Sequence, residues 1–218
     1  MESRVIENYL KVVFNSGEWS DKPVTTGALA TKLGLAPSSV SEAVRKLSDR
    51  GLLSHAPYGA ITLTAQGQQL ALTVIRKHRL IETFLVDYLG YGWDEVHDEA
   101  EVLEHAVSDL FVDRLDQKLG NPTVDPHGDP IPRSNGTLAE LSLTPLGEIE
   151  LGTRVRIERV HDDDPALLRK LDQYGITIGT EVVVAARHAA DVVVALELGG
   201  AKATLPEPAP HAIRVTVV

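Results

Sequence analysis

The stretch His97-Asp98-Glu99-Ala100-Glu101-Val102-Leu103-Glu104-His105 concentrates imidazole and carboxylate side chains at helical spacing. Positions 97, 101, 104 and 105 would project from one face of a continuous helix. A face of two imidazoles and two carboxylates is costly to bury and repels itself unless a cation holds it. The stretch therefore raises the hypothesis of a metal site.

A second pair of the same kind lies upstream, where His78 and Glu82 are four residues apart in the run Arg76–Glu82. Either pair alone is better interpreted as a solvated polar face. The six side chains together, with apolar Ile81 and Phe84 beside them, favour a bound metal ion over that interpretation.

The composition limits the other possibilities. A chain of 218 residues is long enough for two or three small domains. It contains no cysteine, which excludes disulfides and thiolate metal ligands. It has no run of eighteen apolar residues, and its first residues lead into an amphipathic pattern instead of a signal peptide. We therefore expect a soluble, cytoplasmic protein without a membrane partner.

The net charge of −10 is unevenly distributed along the chain. Residues 1–65 carry +1, residues 66–142 carry −8 and residues 143–218 carry −3. The acidity thus lies where the candidate ligands lie, beside a nearly neutral N-terminal segment.

The N-terminal segment has the pattern of a helix-turn-helix. After an apolar helical run at 5–14, Thr26 is expected to cap a short helix that Gly34 ends, and Pro37 suits the first turn of the next. The second helix is small and polar on its exposed side, as a DNA-reading helix is. The predicted DNA-contacting residues are Ala36, Ser38, Ser39, Ser41, Glu42, Arg45 and Lys46.

Two short segments with the pattern of strands follow this helix, at 50–55 and 60–64, separated by the turn Ala56-Pro57-Tyr58-Gly59. They predict a hairpin, and a hairpin after a recognition helix is the wing of a winged helix. A generic three-helix bundle with a hairpin is the alternative. His55 is expected to be an exposed wing residue and not a ligand.

The middle of the chain predicts three helices with the composition of a dimerisation bundle. Thr64 is expected to cap the first, which runs to about Leu89; the second begins at Asp94-Glu95 and carries the opening stretch; the third covers 107–119. Residues 120–142 are rich in Pro, Gly, Asp and Asn and predict a linker. Residues of these types are expected in turns, so Asp129 and His127 are not predicted to be metal ligands.

The C-terminal part predicts a small β-barrel, which makes the chain an α+β multidomain protein. Its β-branched runs are 154–160, 181–186, 191–198, 203–205 and 213–218, with Gly199-Gly200 as a hairpin turn and a helix at 165–173. Asp162-Asp163-Asp164 precede that helix; one of them is expected to be its cap, which leaves another for a metal. The predicted domains are 1–64, 65–142 and 143–218.

The chain resembles the diphtheria toxin repressor family of metal-dependent regulators over nearly its whole length. The most specific matches are residues 76–82, residues 96–109 and the linker Asp125-Pro126-His127-Gly128-Asp129-Pro130-Ile131-Pro132. The resemblance implies a winged helix-turn-helix, a helical metal-binding and dimerisation domain, and a C-terminal SH3-like (FeoA-like) domain.

The resemblance also implies two metal sites per chain. The first would use Asn8, Glu101, Glu104 and His105. The second would use His78, Glu82 and His97, completed by Asp164 from the SH3-like domain.

The choice of metal depends on one position. The iron-responsive branch of the family has a cysteine where this chain has Glu101, and the manganese-responsive branch has a carboxylate. A site with only oxygen and nitrogen ligands suits Mn(II), although Fe(II) binds such sites somewhat more tightly and stays possible.

Three positions depart from the family pattern. Asn8 replaces a frequent aspartate. Lys11 stands where one small manganese branch has a carboxylate, which argues against that branch's closely spaced metal pair. Leu167 replaces a polar side chain that helps the SH3-like domain of iron regulators reach the second site.

The resulting hypothesis is a manganese-activated, dimeric repressor of manganese-uptake genes, which binds operator DNA and no organic ligand. Replacing Glu104 or His105 with alanine is predicted to abolish metal-dependent DNA binding and to leave the fold intact. Three alternatives stay open: an iron-dependent repressor of the same family, a dimetal carboxylate enzyme built on two helices, and a regulator that answers an organic ligand.

Overall fold

The computed structural model describes residues 2–20, 22–56, 59–186, 194–198, 201–206 and 208–218. The chain divides into two compact units. The first unit comprises Met1–His78, Glu104–Val107 and Pro132–Thr137. The second comprises Arg79–Leu103, Ser108–Ile131 and Leu138–Val218.

The first unit contains the winged helix-turn-helix that the sequence predicts. Its elements are α1 (Glu2–Trp19), α2 (Thr26–Leu33), α3 (Pro37–Asp49), β1 (Leu53–His55) and β2 (Ile61–Leu63). β1 and β2 pair antiparallel with Leu53 opposite Leu63. The central turn residues Pro57 and Tyr58 lie outside the described residues.

Capping residues set the limits of α2. Thr25, and not Thr26 as expected, caps the helix, because its Oγ1 accepts a hydrogen bond from the Ala28 N–H at 3.1 Å. Gly34 ends the helix in the left-handed region at φ 64°. Pro37 is the first residue of α3, as predicted. The core between these helices is formed by Leu10, Leu29, Val40, Val44 and Ile61.

A long helix, α4 (Ala65–Leu89), follows the wing. Thr64 caps it as expected, since its Oγ1 accepts from the Gly67 N–H at 3.1 Å. Gly67 packs directly on the segment between α3 and β1, where a Cβ would lie 2.0 Å from the Leu52 carbonyl oxygen. No larger residue fits at this position without moving the backbone.

The helix of the opening stretch is shorter than the sequence predicts. α5 covers Val96–Leu103, so Glu104 and His105 lie in the turn that follows it. The four residues 97, 101, 104 and 105 therefore do not form one helix face, because only His97 and Glu101 lie within α5. Ser108 then caps α6 (Asp109–Lys118) by accepting from the Phe111 N–H at 3.2 Å.

The second unit contains a six-stranded antiparallel sheet with the strand order β3-β8-β4-β5-β6-β7. The elements are β3 (Thr144–Pro145), β4 (Arg154–Val160), α7 (Pro165–Gln173), β5 (Glu181–Ala186), β6 (Val194–Leu198), β7 (Ala201–Leu205) and β8 (Ile213–Val217), with 3-10 turns at Leu146–Glu148 and Ala209–Ala212. The predicted runs correspond to these strands, while the two-residue β3 was not expected. Residues 191–193 of the predicted third strand and the Gly199-Gly200 turn lie outside the described residues.

The segment expected to be a loose linker contains an ordered, buried hairpin at residues 124–130, hereafter the 124–130 hairpin. Val124 and Pro130 pair as an isolated antiparallel bridge. The hairpin packs on β4, where the Val160 N–H donates to the His127 carbonyl at 2.9 Å. Gly128 has φ 83°, and a Cβ there would lie 2.0 Å from the Glu158 carbonyl oxygen, so glycine is required.

No helix among the described residues is both long and apolar enough to cross a membrane.

Candidate metal centre

Glu104 is the centre of a buried cluster in the first unit. It is 2 % exposed, and both of its carboxylate oxygens lie 2.8 Å from the Lys11 ammonium. His78 on α4 approaches the same carboxylate, with Nδ1 2.6 Å from Oε2. Lys11 and His78 are themselves buried. The turn after α5 thus presents its carboxylate to two positively charged or donating groups.

The environment of Glu104 favours its ionised form. Burial alone would raise the pKa of this carboxyl, but the hydrogen bond and charge of His78 and the charge of Lys11 outweigh burial and hold the pKa below its usual value. Glu104 is therefore a carboxylate that can accept a cation without first losing a proton.

His105 and Asn8 place further donor atoms in the same unit. His105 Nδ1 lies 2.7 Å from Glu7 Oε2, and its Nε2 lies 3.3 Å from Glu104 Oε1. His105 Nε2 and Asn8 Oδ1 are both buried and receive no hydrogen bond within the described part of the chain. Asn8 lies one turn before Lys11 on α1. A buried nitrogen and a buried amide oxygen without hydrogen bonds are atoms that a metal ion would satisfy.

Glu101 lies on α5, one turn after His97. Its carboxylate lies 3.6 Å from His97 Nε2, one turn earlier on α5, and its side chain is about one-third exposed.

A second cluster gathers in the second unit around Glu82, whose side chain is fully buried. His97 Nδ1 lies 2.8 Å from Asp162 Oδ2 and 3.4 Å from Glu82 Oε1. The three side chains offer ligand atoms within 4.8 Å of one another. Burial lowers the pKa of His97, but contact with Asp162 and Glu82 outweighs it and raises the pKa to about 11. The carboxylates therefore attract positive charge to this point.

The 124–130 hairpin adds two more ligand-type side chains to the surroundings of Glu82. His127 is completely buried, with Nε2 2.6 Å from the Trp93 carbonyl oxygen and Nδ1 4.0 Å from Glu82 Oε2. Since Nε2 must donate to that carbonyl, neutral His127 presents Nδ1 as an acceptor. Nδ1 is buried and makes no hydrogen bond to the described residues. Glu82, Asp125 and His127 also lie within 4.8 Å of one another through one ligand atom each.

Negative charge accumulates at this cluster. Burial raises the pKa of Asp125 well above its usual value, and Asp129 and Glu82 raise it further. Burial lowers the pKa of His127, yet Glu82 and Asp125 outweigh burial and raise it. Neighbouring buried carboxylates contribute to both shifts, and a divalent cation would relieve this accumulation of negative charge.

The structure corrects the expected contribution of Asp164. This residue is exposed and caps α7, with Oδ1 accepting from the Ala166 N–H at 3.0 Å and the Leu167 N–H at 3.2 Å. Asp162, two residues earlier, is the aspartate that contacts His97. Of the three aspartates, the cap and the candidate ligand are therefore different residues.

Sequence reasoning also missed Asp125 and His127, because turn chemistry accounted for that segment. The turn is real: Asp125 Oδ1 accepts from the His127 N–H at 2.8 Å and the Asp129 N–H at 2.9 Å. The Asp-x-His spacing could have indicated a metal site, because a turn that is fixed by its own hydrogen bonds can also position metal ligands.

The donors in both clusters fit a hard divalent cation. They are carboxylate oxygens, imidazole nitrogens and one amide oxygen, the set that Mn(II) and Fe(II) accept. Asn8 Oδ1, His105 Nε2 and His127 Nδ1 are among the donor atoms that are buried and lack a hydrogen bond in the described part of the chain.

The predicted DNA-contacting residues lie on the exposed side of the winged helix. Those at 36, 38, 39, 41, 42, 45 and 46 are all exposed, whereas Val40, Val44 and Leu47 on the same helix are buried. Glu42 and Lys46 pair at 2.8 Å. His55 is exposed on β1, as expected.

Comparisons with known proteins cover all three parts of the chain. Residues 1–61 match the model of the iron-dependent repressor N-terminal DNA-binding domain, residues 64–133 that of the iron-dependent repressor metal-binding and dimerisation domain, and residues 144–217 that of the FeoA domain. The iron-dependent repressor IdeR of Mycobacterium leprae is 33 % identical over 97 % of this chain and 96 % of its own length. The chain belongs to the diphtheria toxin repressor family. The diphtheria toxin repressor of Corynebacterium glutamicum is 30 % identical over 97 % of this chain and 96 % of its own.

Two solved structures are similar to the chain over nearly its full length. A manganese-dependent transcriptional repressor in complex with manganese has a TM-score of 0.92 and 44 % identity, covering 98 % of this chain and 100 % of that one. ScaR with bound Zn²⁺ has a TM-score of 0.85 and 36 % identity, covering 98 % and 99 % of the two chains.

Membership of the family identifies the chain as a metal-dependent transcriptional repressor with a DNA-binding and a dimerisation domain, and not an enzyme. The dimetal-enzyme alternative is thereby excluded, and the predicted fold and family resemblance are confirmed.

Proposed function

We propose that this protein is a manganese-activated dimeric repressor that binds operator DNA of manganese-uptake genes. The observation that carries the choice of metal is Glu101 in a chain without cysteine, which leaves only oxygen and nitrogen donors. The 44 % identity to a structure of a manganese-dependent repressor bound to manganese supports it. An iron-dependent repressor is the second candidate, because relatives 30–33 % identical carry that name or the name diphtheria toxin repressor.

The proposed first site uses Asn8, Glu104 and His105, with Glu101 as a fourth ligand implied by the family pattern. Asn8 Oδ1 and His105 Nε2 support it as buried donors without a hydrogen bond to described residues. His78 Nδ1 lies 2.6 Å from Glu104 Oε2, and the resemblance assigns His78 to the second site.

The proposed second site is centred on Glu82 and uses His97, Asp162 and His127, with Asp125 beside them. The distances from Glu82 and His97 and the orientation of His127 Nδ1 support this revised set. Asp164 is replaced by Asp162.

The effect of metal binding on DNA binding is explained by the helices and turns that carry the first-site residues. Asn8 lies on α1, whose Leu10 and Val13 pack in the core of the winged helix, while Glu104 and His105 lie in the turn after α5. A bound ion supplies a charge-neutralising bridge between these segments. Fixing α1 in one position would favour the arrangement in which two recognition helices meet successive major grooves, about 34 Å apart.

A second copy of the chain is the proposed partner of the helical segment. Val102, Leu110 and Phe111 on α5 and α6 are large apolar side chains that are 58 %, 65 % and 47 % exposed. The family's dimerisation domain covers these residues, and burial of such side chains between two copies removes apolar surface from water.

The proposed function predicts metal-dependent operator binding by two chains. Metal-stripped protein would be titrated, at fixed salt, onto labelled DNA from upstream of its own and nearby transporter genes, with Mn(II) or anaerobic Fe(II). We expect fluorescence anisotropy to show tight binding with Mn(II), two chains per duplex, and no comparable binding without metal.

Two results would contradict this expectation in different ways. Operator binding at a lower concentration of Fe(II) than of Mn(II) would favour the second candidate function, an iron-dependent repressor. An operator affinity that does not depend on either metal would remove metal activation altogether.

The second site gives a separate prediction. We expect His127→Gln to reduce the Mn(II) stoichiometry, measured by calorimetry, from two ions per chain to one. Glutamine can donate to the Trp93 carbonyl, but it cannot place an imidazole Nδ1 beside Glu82. The affinity of the remaining ion should be unchanged, because His127 is not one of the proposed ligands of the first site.

The matched control is His55→Gln, which removes an exposed imidazole from β1 and should leave both ions bound. Two ions of wild-type affinity in the His127→Gln variant would show that His127 is not a ligand.

A further inference from the structure

The Lys11–Glu104 ion pair is buried and joins two separate segments of the first unit. Lys11 is 4 % exposed and Glu104 2 % exposed, and Nζ lies 2.8 Å from each carboxylate oxygen. An ammonium placed symmetrically between two carboxylate oxygens occupies the position in which a chelated metal ion would lie. The lysine is thus a cation fixed to the protein that neutralises the carboxylate proposed above as a metal ligand.

We infer that Lys11 is a built-in competitor of the metal, and that its ammonium leaves Glu104 when the metal binds. This inference rests on the proposed role of Glu104 as a ligand. A divalent ion and an ammonium on the same buried carboxylate repel each other strongly at separations of a few ångströms. The free energy needed to separate Lys11 from Glu104 is therefore subtracted from metal binding, which raises the metal concentration at which the protein responds.

The position of Lys11 gives this exchange a structural consequence. Lys11 lies between Leu10 and Val13, which pack in the core of the winged helix, and one turn after Asn8. The ion pair connects α1 to the turn that carries Glu104. Binding of metal through Asn8 and Glu104 would replace the Lys11–Glu104 ion pair with metal coordination from the same helix. A side chain of the DNA-binding unit therefore sets the metal concentration at which the protein responds.

The experiment compares Mn(II) binding by wild-type protein, Lys11→Met and Lys11→Gln. Both variants remove the ammonium; methionine keeps the apolar stem, and glutamine keeps a hydrogen-bond donor for Glu104 if methionine prevents folding. We expect both to bind Mn(II) at the first site about tenfold more tightly or better, measured by calorimetry, because no fixed cation has to be displaced.

A second readout is the melting temperature without and with Mn(II). The metal-free variants should melt below the wild type, because Glu104 loses a buried partner, while the Mn(II)-loaded forms should converge. The stabilisation produced by Mn(II) should therefore be larger in the variants than in the wild type.

Two controls accompany the variants. Lys32→Met removes the same charge from the exposed surface of α2 and should leave the affinity at the wild-type value. The second site lies among residues of the other unit, so its affinity should stay constant in the same titrations.

Unchanged first-site affinity in both Lys11 variants would overturn the inference, and weaker affinity would show that Lys11 positions Glu104 for the metal instead of competing with it. Failure of the proposed site gives a different result: Glu104→Gln would then bind Mn(II) like the wild type. Tighter binding in both Lys11 variants, together with loss of first-site binding in Glu104→Gln, establishes the competition.

Discussion

Replacing Glu104 with alanine is expected to abolish Mn(II)-dependent operator binding and also to destabilise the metal-free protein. The first effect follows from loss of the proposed ligand. The second follows because the Lys11 ammonium, buried against Glu104, would be left without that carboxylate. Breaking a buried ion pair in this way costs about 3–5 kcal/mol. Operator binding would be measured by fluorescence anisotropy and the free energy of unfolding by urea denaturation without metal.

This expectation revises the one drawn from the sequence, in which the alanine variant kept an intact fold. The difference lies in Lys11, whose contact with Glu104 spans 93 positions of the chain and leaves no local sequence pattern. His105→Ala is the milder variant, because Glu7, the partner of its Nδ1, is only partly buried. It should lose the metal response with less loss of stability.

The double variant Lys11→Met/Glu104→Leu separates the two effects. Replacing both members of a buried ion pair with apolar side chains of similar volume is often neutral or stabilising, so its unfolding free energy should return towards the wild-type value while operator binding stays insensitive to Mn(II). Wild-type Mn(II)-dependent operator affinity in Glu104→Ala would contradict the proposed first site.

Most of the fold could be predicted because local patterns and the final structure agree. The limits of α4 follow from Thr64 and from the glycine after Leu89, and short β-branched runs identified β4, β5 and β8. β3 was not predicted because two residues, Thr144 and Pro145, are too few to show a period; their pairing with β8 makes them a strand.

The end of α5 could not be read from periodicity. The apolar and ligand-type residues continue at helical spacing through His105, yet the helix ends at Leu103. Contacts of Glu104 with Lys11 and His78, which are distant in sequence, accompany the turn. Interactions of this kind override local propensity, and the sequence contains no sign of them.

Some of the candidate metal-site residues could be predicted from the sequence and others could not. Glu82 and His97, on neighbouring helices, were identified from spacing and composition. Asp162 and His127 were not, because one lies among three consecutive aspartates and the other in a turn with its own explanation. Only the packing of the 124–130 hairpin and of the segment after β4 around Glu82 distinguishes them from their neighbours.

Substituting Asp129 with asparagine is expected to unfold the surroundings of the second site. Asp129 Oδ2 lies 3.2 Å from Arg79 Nη2 on α4, and Oδ1 accepts from Arg159 Nε on β4. Arg79 also donates through Nη1 to the Pro130 carbonyl at 2.7 Å. All three charged side chains are buried, so one carboxylate holds two guanidinium groups and fixes the 124–130 hairpin between α4 and β4.

Loss of that charge would leave two buried arginines facing an uncharged amide. We expect the free energy of unfolding of the second unit to fall by about 3–5 kcal/mol, as for other buried ion pairs that lose one partner. Because the hairpin carries Asp125 and His127, Mn(II) binding at the second site should weaken as well. Urea denaturation and calorimetry would measure the two effects on the same protein.

Glu181→Gln is the matched control, since Glu181 also faces two arginines but on the exposed surface of the sheet. It lies 2.9 Å from Arg156 Nη2 and 3.8 Å from Arg154 Nη1. Water and salt screen such a pair, so its loss should leave stability and metal binding at their wild-type values. Equal effects of the two substitutions would mean that burial does not set the strength of the Asp129 interaction. A stable Asp129→Asn variant with one fewer bound Mn(II) would instead assign Asp129 to the metal site.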